Sequence, residues 1–96
     1  MRLMFKFTIP VEKGNRAAND GTIGPAIDAL LKETNAEAAY FMMENGKRGG
    51  MLFFELEDQS RLPEIIEPFC AALDAAIDIV PALNADDLRR GLAGSK

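Results

Sequence analysis

Two stretches of the chain repeat with a period of two. Leu3, Phe5, Phe7 and Ile9 alternate with Arg2, Met4, Lys6 and Thr8, and later Leu52, Phe54 and Leu56 alternate with Met51, Phe53, Glu55 and Glu57. Period two is the side-chain repeat of a β-strand. The first run predicts a strand over Met1 to Ile9, ended by Pro10, and the second a strand over Met51 to Glu57. A sheet wetted on one side shows a clean apolar-in, polar-out alternation. Here the second face instead mixes Met4, Tyr40, Met42, Met51, Phe53 and Val80 with Lys6, Glu55 and Asp78. That face is too apolar for water, so another surface must cover it.

Two further strands are predicted. Glu37 to Glu44 is rich in Ala, Tyr, Phe and Met, and Ala76 to Ala82 sets Ile77 and Ile79 on one face and Asp78 and Val80 on the other. Asn45-Gly46 is a strong hairpin signal, and Lys47 to Gly50 reads as a lengthening of that connection.

Helical periods fill the remainder. Ile23, Ile27, Leu30 and Leu31 fall at i, i+4, i+7 and i+8, with Thr22 as N-cap and Pro25 in the first turn. An unbroken helix from Asn15 would press Pro25 against the carbonyl of Gly21 at a cost of about 3 kcal/mol. A break or kink near Gly21 to Gly24 is therefore expected, and Val11 to Asp20 is either a loop or a first helical segment. Leu62, Ile65, Ile66, Phe69 and Leu73 form a second stripe behind a Ser60 cap, with Pro63 in the first turn and Pro68 at an expected kink. Asn84 caps a short last helix, with Leu83 and Leu88 placed for a hydrophobic staple and Asp86 and Asp87 in the first turn. The expected class is α+β: a βαββαβ sheet of ferredoxin-like order with a short C-terminal helix.

With 96 residues, the chain is expected to form a single domain over 1–96. So short a chain buries only about 60–65% of its unfolded surface, and dimerisation is a usual remedy. Eleven Lys and Arg against fifteen Asp and Glu give a charge of −4, which offers nucleic acid no basic footprint. No apolar run approaches the ~20 residues of a membrane span. Lys6 interrupts the opening stretch, which does not resemble a signal peptide. A single cysteine fits a reducing compartment, so the expected location is cytoplasmic. The complete absence of histidine removes the commonest base and metal ligand, histidine-containing triads and proximal-histidine haem ligation. No metal or cofactor is expected, and any catalysis would rest on carboxylates, Lys6, Tyr40, hydroxyls or the substrate itself.

Asp20-Gly21-Thr22 with Gly24, Glu37-Ala38-Ala39-Tyr40-Phe41, Gly46-Lys47-Arg48, and Leu62-Pro63 with Glu67-Pro68-Phe69 run through nearly the whole chain. In these patterns the chain resembles small, functionally uncharacterised bacterial proteins of the dimeric α+β-barrel superfamily. The resemblance implies two sheets packed face to face in a homodimer, with a lined cavity between each sheet and its partner. It implies no particular reaction, because that superfamily includes cofactor-free monooxygenases, isomerases, haem-handling enzymes and proteins without assigned activity.

Lys6, Tyr40, Glu55 and Asp78 are the leading candidate residues. They either line a small-molecule cavity, with Tyr40 as hydrogen-bond donor and a carboxylate as base, or stitch two copies together. The second reading is favoured, because facing surfaces need polar pairing whether or not they catalyse. An ion pair of Lys6 with Glu55 or Asp78 is the economical arrangement. Asp20, with Arg16 and Asn19, either faces a cavity mouth or supplies turn-and-cap chemistry, and the latter is favoured. Arg48, beside Lys47 in a glycine-flanked hairpin, either binds an anion or solvates the turn, again with the latter favoured. Cys70 reads as a small buried or half-buried hydrophobe. Three functions follow: a homodimer holding a small metabolite, a cofactor-independent monooxygenase or isomerase acting on an aromatic or acidic metabolite, and a regulatory module binding another protein.

Overall fold

A computed structural model describes residues 1–94; residues 95 and 96, which the single-domain expectation also takes in, lie outside the described residues. The elements are β1 (Arg2–Ile9), α1 (Val11–Asp20), α2 (Ile23–Thr34), β2 (Ala38–Glu44), β3 (Lys47–Glu55), a 3-10 turn (Gln59–Arg61), α3 (Leu62–Leu73), β4 (Ala76–Pro81) and α4 (Ala85–Gly94). The strands form one sheet in the order β2-β3-β1-β4, and all three pairings are antiparallel.

Four phenylalanines organise the core. Phe5, Phe7 and Phe54 point from the sheet toward Phe69 of α3, and the Phe7 and Phe69 rings meet edge to face with centroids 4.8 Å apart. Such T-shaped contacts favour the ring quadrupoles beyond the area they bury. Leu3, Ile9 and Leu52 from the sheet, with Leu30, Ile65 and Leu73 from α2 and α3, complete the buried layer. The period-two and helical stripes read from the sequence are the faces that meet there.

The open alternative for residues 11–20 resolves as a helix. The expected break falls at Gly21, which takes a left-handed φ of 81° and returns its N–H to the Ala17 carbonyl. The Thr22 hydroxyl does not cap α2; it donates to Asp20 Oδ1 at 2.6 Å, and the Thr22 N–H donates to the same oxygen at 3.0 Å. Ser60 likewise is not the cap before α3. Ser60 lies inside the 3-10 turn that leads into α3, and Asp58 caps that turn, accepting from the Ser60 N–H and hydroxyl at 3.0 and 2.7 Å. In both places the aspartate is the stronger acceptor, and the hydroxyl acts as its donor. Asn84 does cap α4, in a reciprocal box with Asp87: the Asp87 N–H donates to Asn84 Oδ1 at 2.8 Å, and the Asn84 N–H to Asp87 Oδ2 at 3.2 Å.

The hairpin differs most from expectation. Lys47 to Gly50 do not lengthen the connection but begin β3, leaving Asn45 and Gly46 as a two-residue turn with φ of 52° and 77°. Two successive positive φ values are those of a type I′ turn, whose twist matches the flanking strands. The other end of β3 lies at Glu55, two residues short of the expected Glu57. Gly50 is a strand glycine for a steric reason: a Cβ there would lie 2.7 Å from the Phe7 ring and 2.9 Å from Phe41 Cδ1. The missing side chain lets two rings lie over β3.

Helices α1, α2 and α3 pack against one face of the sheet only. No described residue of α4 is buried, and the chain measures 54 × 28 × 17 Å with a radius of gyration of 15.1 Å. A compact chain of this length would have a radius near 12.5 Å. No helix among the described residues is long and apolar enough to cross a membrane.

Gly50→Ala should therefore lower unfolding stability by about 1–3 kcal/mol through overpacking against Phe7. Gly91→Ala, in α4 where an added Cβ meets nothing within 4 Å, should leave stability unchanged or raise it by up to about 1 kcal/mol. Urea denaturation of the two variants checks the contrast.

Candidate functional site

Strand register settles which residues share the uncovered face. One row across the sheet reads Tyr40, Met51, Lys6, Asp78, and the next reads Ala38, Phe53, Met4, Val80. On the other side of the first lies Met42, Gly49, Thr8, Ala76. All nine residues assigned to the second face by alternation thus lie on it. Tyr40, Met42 and Val80 are exposed, Tyr40 to 62%, while Met4, Met51 and Phe53 are half-buried by their neighbours.

The charges on this face pair differently from the expectation. Lys6 Nζ reaches Glu44 at 2.6 Å, not Glu55 or Asp78. Asp78 stands directly across from Lys6 in β4, but its side chain is short. Toward Glu44 the intervening β3 residue is Gly49, which leaves room for the long lysine stem. The hydrogen bond and charge of Glu44 raise the Lys6 pKa above its usual value, with a smaller contribution from the Asp78 charge. Glu55 binds the N-terminal ammonium at 2.5 Å. Asp78 has neither an ion pair nor a hydrogen bond among the described residues.

The six candidate residues do not converge. Tyr40 and Asp78 occupy opposite edge strands of the same row, and three interstrand steps of about 4.8 Å separate their backbones by roughly 14 Å. Glu55 lies four residues beyond Tyr40's cross-strand partner Met51, which is about as far. Among the described residues neither carboxylate pairs with Tyr40, so one copy holds no preassembled acid–base pair of the kind such chemistry requires. Asp20 is at the α1–α2 break, where its hydrogen bonds from Thr22 hold its carboxyl below the usual range. Arg48 lies on the helix-covered side, with Nη1 donating to Asn15 Oδ1 at 2.9 Å. The Cys70 thiol is pushed up by burial and by Glu67, opposite to the shift a nucleophile needs. Among the described residues no group of three or more His, Cys, Asp or Glu could hold a metal ion.

A cluster missed in the sequence sits at one end of the open face. Arg2 Nε donates to Glu37 at 2.5 Å and Nη1 to Asp87 at 3.0 Å, while Arg90 reaches the second oxygen of Asp87. The N-terminus of α4 is thereby tied to the sheet. An open cleft of about 480 Å³ beside it is bounded by Arg2, Glu55, Leu83, Asp87 and Arg90. The alternation of β1 already put Arg2 on this face, but nothing in sequence spacing linked it to residues 35 and 85 positions away.

No protein-family model matches the chain, and no curated protein matches it in sequence.

Asp87 gives this cluster a pH dependence. The Asn84 N–H, then the Arg90 and Arg2 charges, hold its carboxyl below the ordinary 3.8. A depressed carboxylate pKa contributes stability that is present at neutral pH and lost as pH falls through the folded value. The α4 cap should therefore persist through the ordinary carboxylate range and release only below pH 3.8. Carbon-detected NMR of the Asp87 carboxyl with the Asn84 amide would reveal this; a midpoint at or above 3.8 would contradict the linkage.

Proposed function

We propose that two copies of the chain pack their open sheet faces together as a ferredoxin-like, dimeric α+β barrel, and that a small metabolite binds between sheet and partner. The strand order β2-β3-β1-β4 supports the ferredoxin-like reading. The observation that carries the dimer is the uncovered face itself. Met4, Met51, Phe53 and Val80 form a contiguous apolar area on a sheet whose other side is already packed by helices. Contiguous exposed apolar surface of this kind marks an interaction site.

The charges favour the same reading. Burying an unpaired charge is costly, but Lys6, Glu55 and Arg2 each already have a counter-ion within the protomer. A partner sheet can cover them without supplying a countercharge. Among the described charges of this face Asp78 has no counter-ion within the protomer, which suits it to a ligand hydroxyl, amine or amide. Catalysis by a cofactor-independent monooxygenase or isomerase would need a carboxylate beside Tyr40, and a second copy packed on this face is one source of it.

Sedimentation equilibrium at micromolar concentration should give twice the 10.5 kDa chain mass. A clean monomer would sink the proposal, and a complex containing only a different protein would replace it with the regulatory-module reading. Phe53→Asp should dissociate the dimer. Val80→Asp is the cleaner variant, because Val80 is 45% exposed in the protomer and a charge there spares the core; it should weaken association at least tenfold while the far-ultraviolet circular dichroism stays unchanged.

A further inference from the structure

A second apolar surface lies on the opposite side of the sheet. The helix-side residues of β2 are Phe41 and Met43, yet α2 does not close over them, and they remain 53% and 66% exposed. Together with Ile23 and Ile27 of α2 and Phe7 of β1 they line an open groove of about 350 Å³. That volume is within the range of small-ligand sites. Arg48, directly across from Met43 in β3, lines the same groove.

Among the described residues Arg48 is the one charged side chain lining this groove. It is half-buried, and its Nη1 is held by Asn15, but among the described residues no carboxylate pairs with it. Space for the guanidinium comes from α1, where Gly14 lies so close that a Cβ would approach Nη1 to 2.8 Å. The floor comes from Gly50, whose absent side chain admits the Phe7 and Phe41 rings. A positioned guanidinium presents several N–H donors in a plane, which suits a carboxylate.

We propose that this groove binds a small monocarboxylate with an apolar body, the carboxylate on Arg48 and the body against Ile23, Ile27, Phe41 and Met43. The charge selects the head and the groove selects the tail. The side chains named here point to the side of the sheet opposite the proposed dimer face, and only Met42 of the groove's lining belongs to the open-face rows.

The test is a nitrogen-15 NMR titration of the full chain with sodium octanoate, with octylamine and 1-octanol as matched controls. Octanoate should give saturable shifts at Ile23, Ile27, Phe41 and Gly49, and should bind at least tenfold more tightly than either control. Arg48→Gln should remove that preference without changing the melting temperature, and Arg48→Lys should restore part of it. Gly14→Ala, which displaces only the flexible end of Arg48, should weaken octanoate and leave 1-octanol unaffected. Equal binding of octanoate and 1-octanol would overturn the role of Arg48. Absence of binding at millimolar octanoate, or shifts confined to Met4, Met51 and Phe53 on the open face, would overturn the site. Those last shifts would leave the dimer proposal standing, while a monomeric protein that still bound octanoate here would do the reverse.

Discussion

Phe5 and Phe7 stand two residues apart on β1, and both rings must reach Phe69 of α3, with centroids 6.2 and 4.8 Å away. Because a strand repeats every two residues, that demand sets the phase of β1 absolutely. A slip of one residue would put Met4, Lys6 and Thr8 under the helices and turn the rings outward. The antiparallel ladders then carry the phase to β3 and β4, so Leu52, Phe54, Ile77 and Ile79 face the helices and Met51, Phe53, Asp78 and Val80 cannot. The composition of the uncovered face is thus a consequence of the ring cluster. An amphipathic sheet needs only one apolar side for its own core, and the apolar residues on the other side therefore serve something beyond folding the protomer.

Absent side chains shape the molecule as much as present ones. Gly50 makes room for Phe7 and Phe41, Gly49 opens the space between Lys6 and Glu44, and Gly14 accommodates Arg48. A glycine within a strand or helix loses backbone freedom on folding and weakens the element by about 0.5–1 kcal/mol relative to alanine. Three such positions converge on the same end of the sheet. Their joint effect is to bring an aromatic pair and two long cations close to the backbone, where larger residues would have displaced them.

What the sequence made legible follows from the range of the forces involved. Alternation in β1 and the Leu62–Leu73 stripe are local and repeated, so the elements, their faces and the break before Pro25 could be read directly. The start of β3 could not, because Lys47, Arg48 and two glycines have weak strand preference and were recruited by pairing with Glu44 to Phe41. Thr22 does stand at the N-cap position of α2, but its hydroxyl turns back to Asp20 and leaves the helix end without a side-chain cap. Ser60 is drawn to Asp58 in the same way, inside a 3-10 turn that sequence alone does not reveal. The face of Lys6 was legible but its partner was not. Choosing between Glu44, Glu55 and Asp78 depends on stem length and on the gap at Gly49, which only the assembled sheet reveals. Turn solvation by Arg48 presupposes a loop at Lys47 to Gly50; within β3, alternation turns Arg48 toward the helices.

β2 joins the two unfilled surfaces. It is an edge strand, and Tyr40 and Met42 on one side alternate with Phe41 and Met43 on the other, all four exposed. An apolar edge strand open on both faces invites adventitious pairing, which proteins normally blunt with charge, proline or cover. The only charge that β2 carries is Glu44 at its end. A flat partner can lie against one side of a sheet but not both, so a second copy covering Tyr40 and Met42 would leave Phe41 and Met43 in water. Covering both sides of this strand would take two distinct occupants. The polar anchors differ accordingly: among the described residues Asp78 on the open face has no donor, and Arg48 on the helix side has no acid. A single kind of ligand could not answer both, which is why the sheet face and the helix-side groove are assigned separate roles.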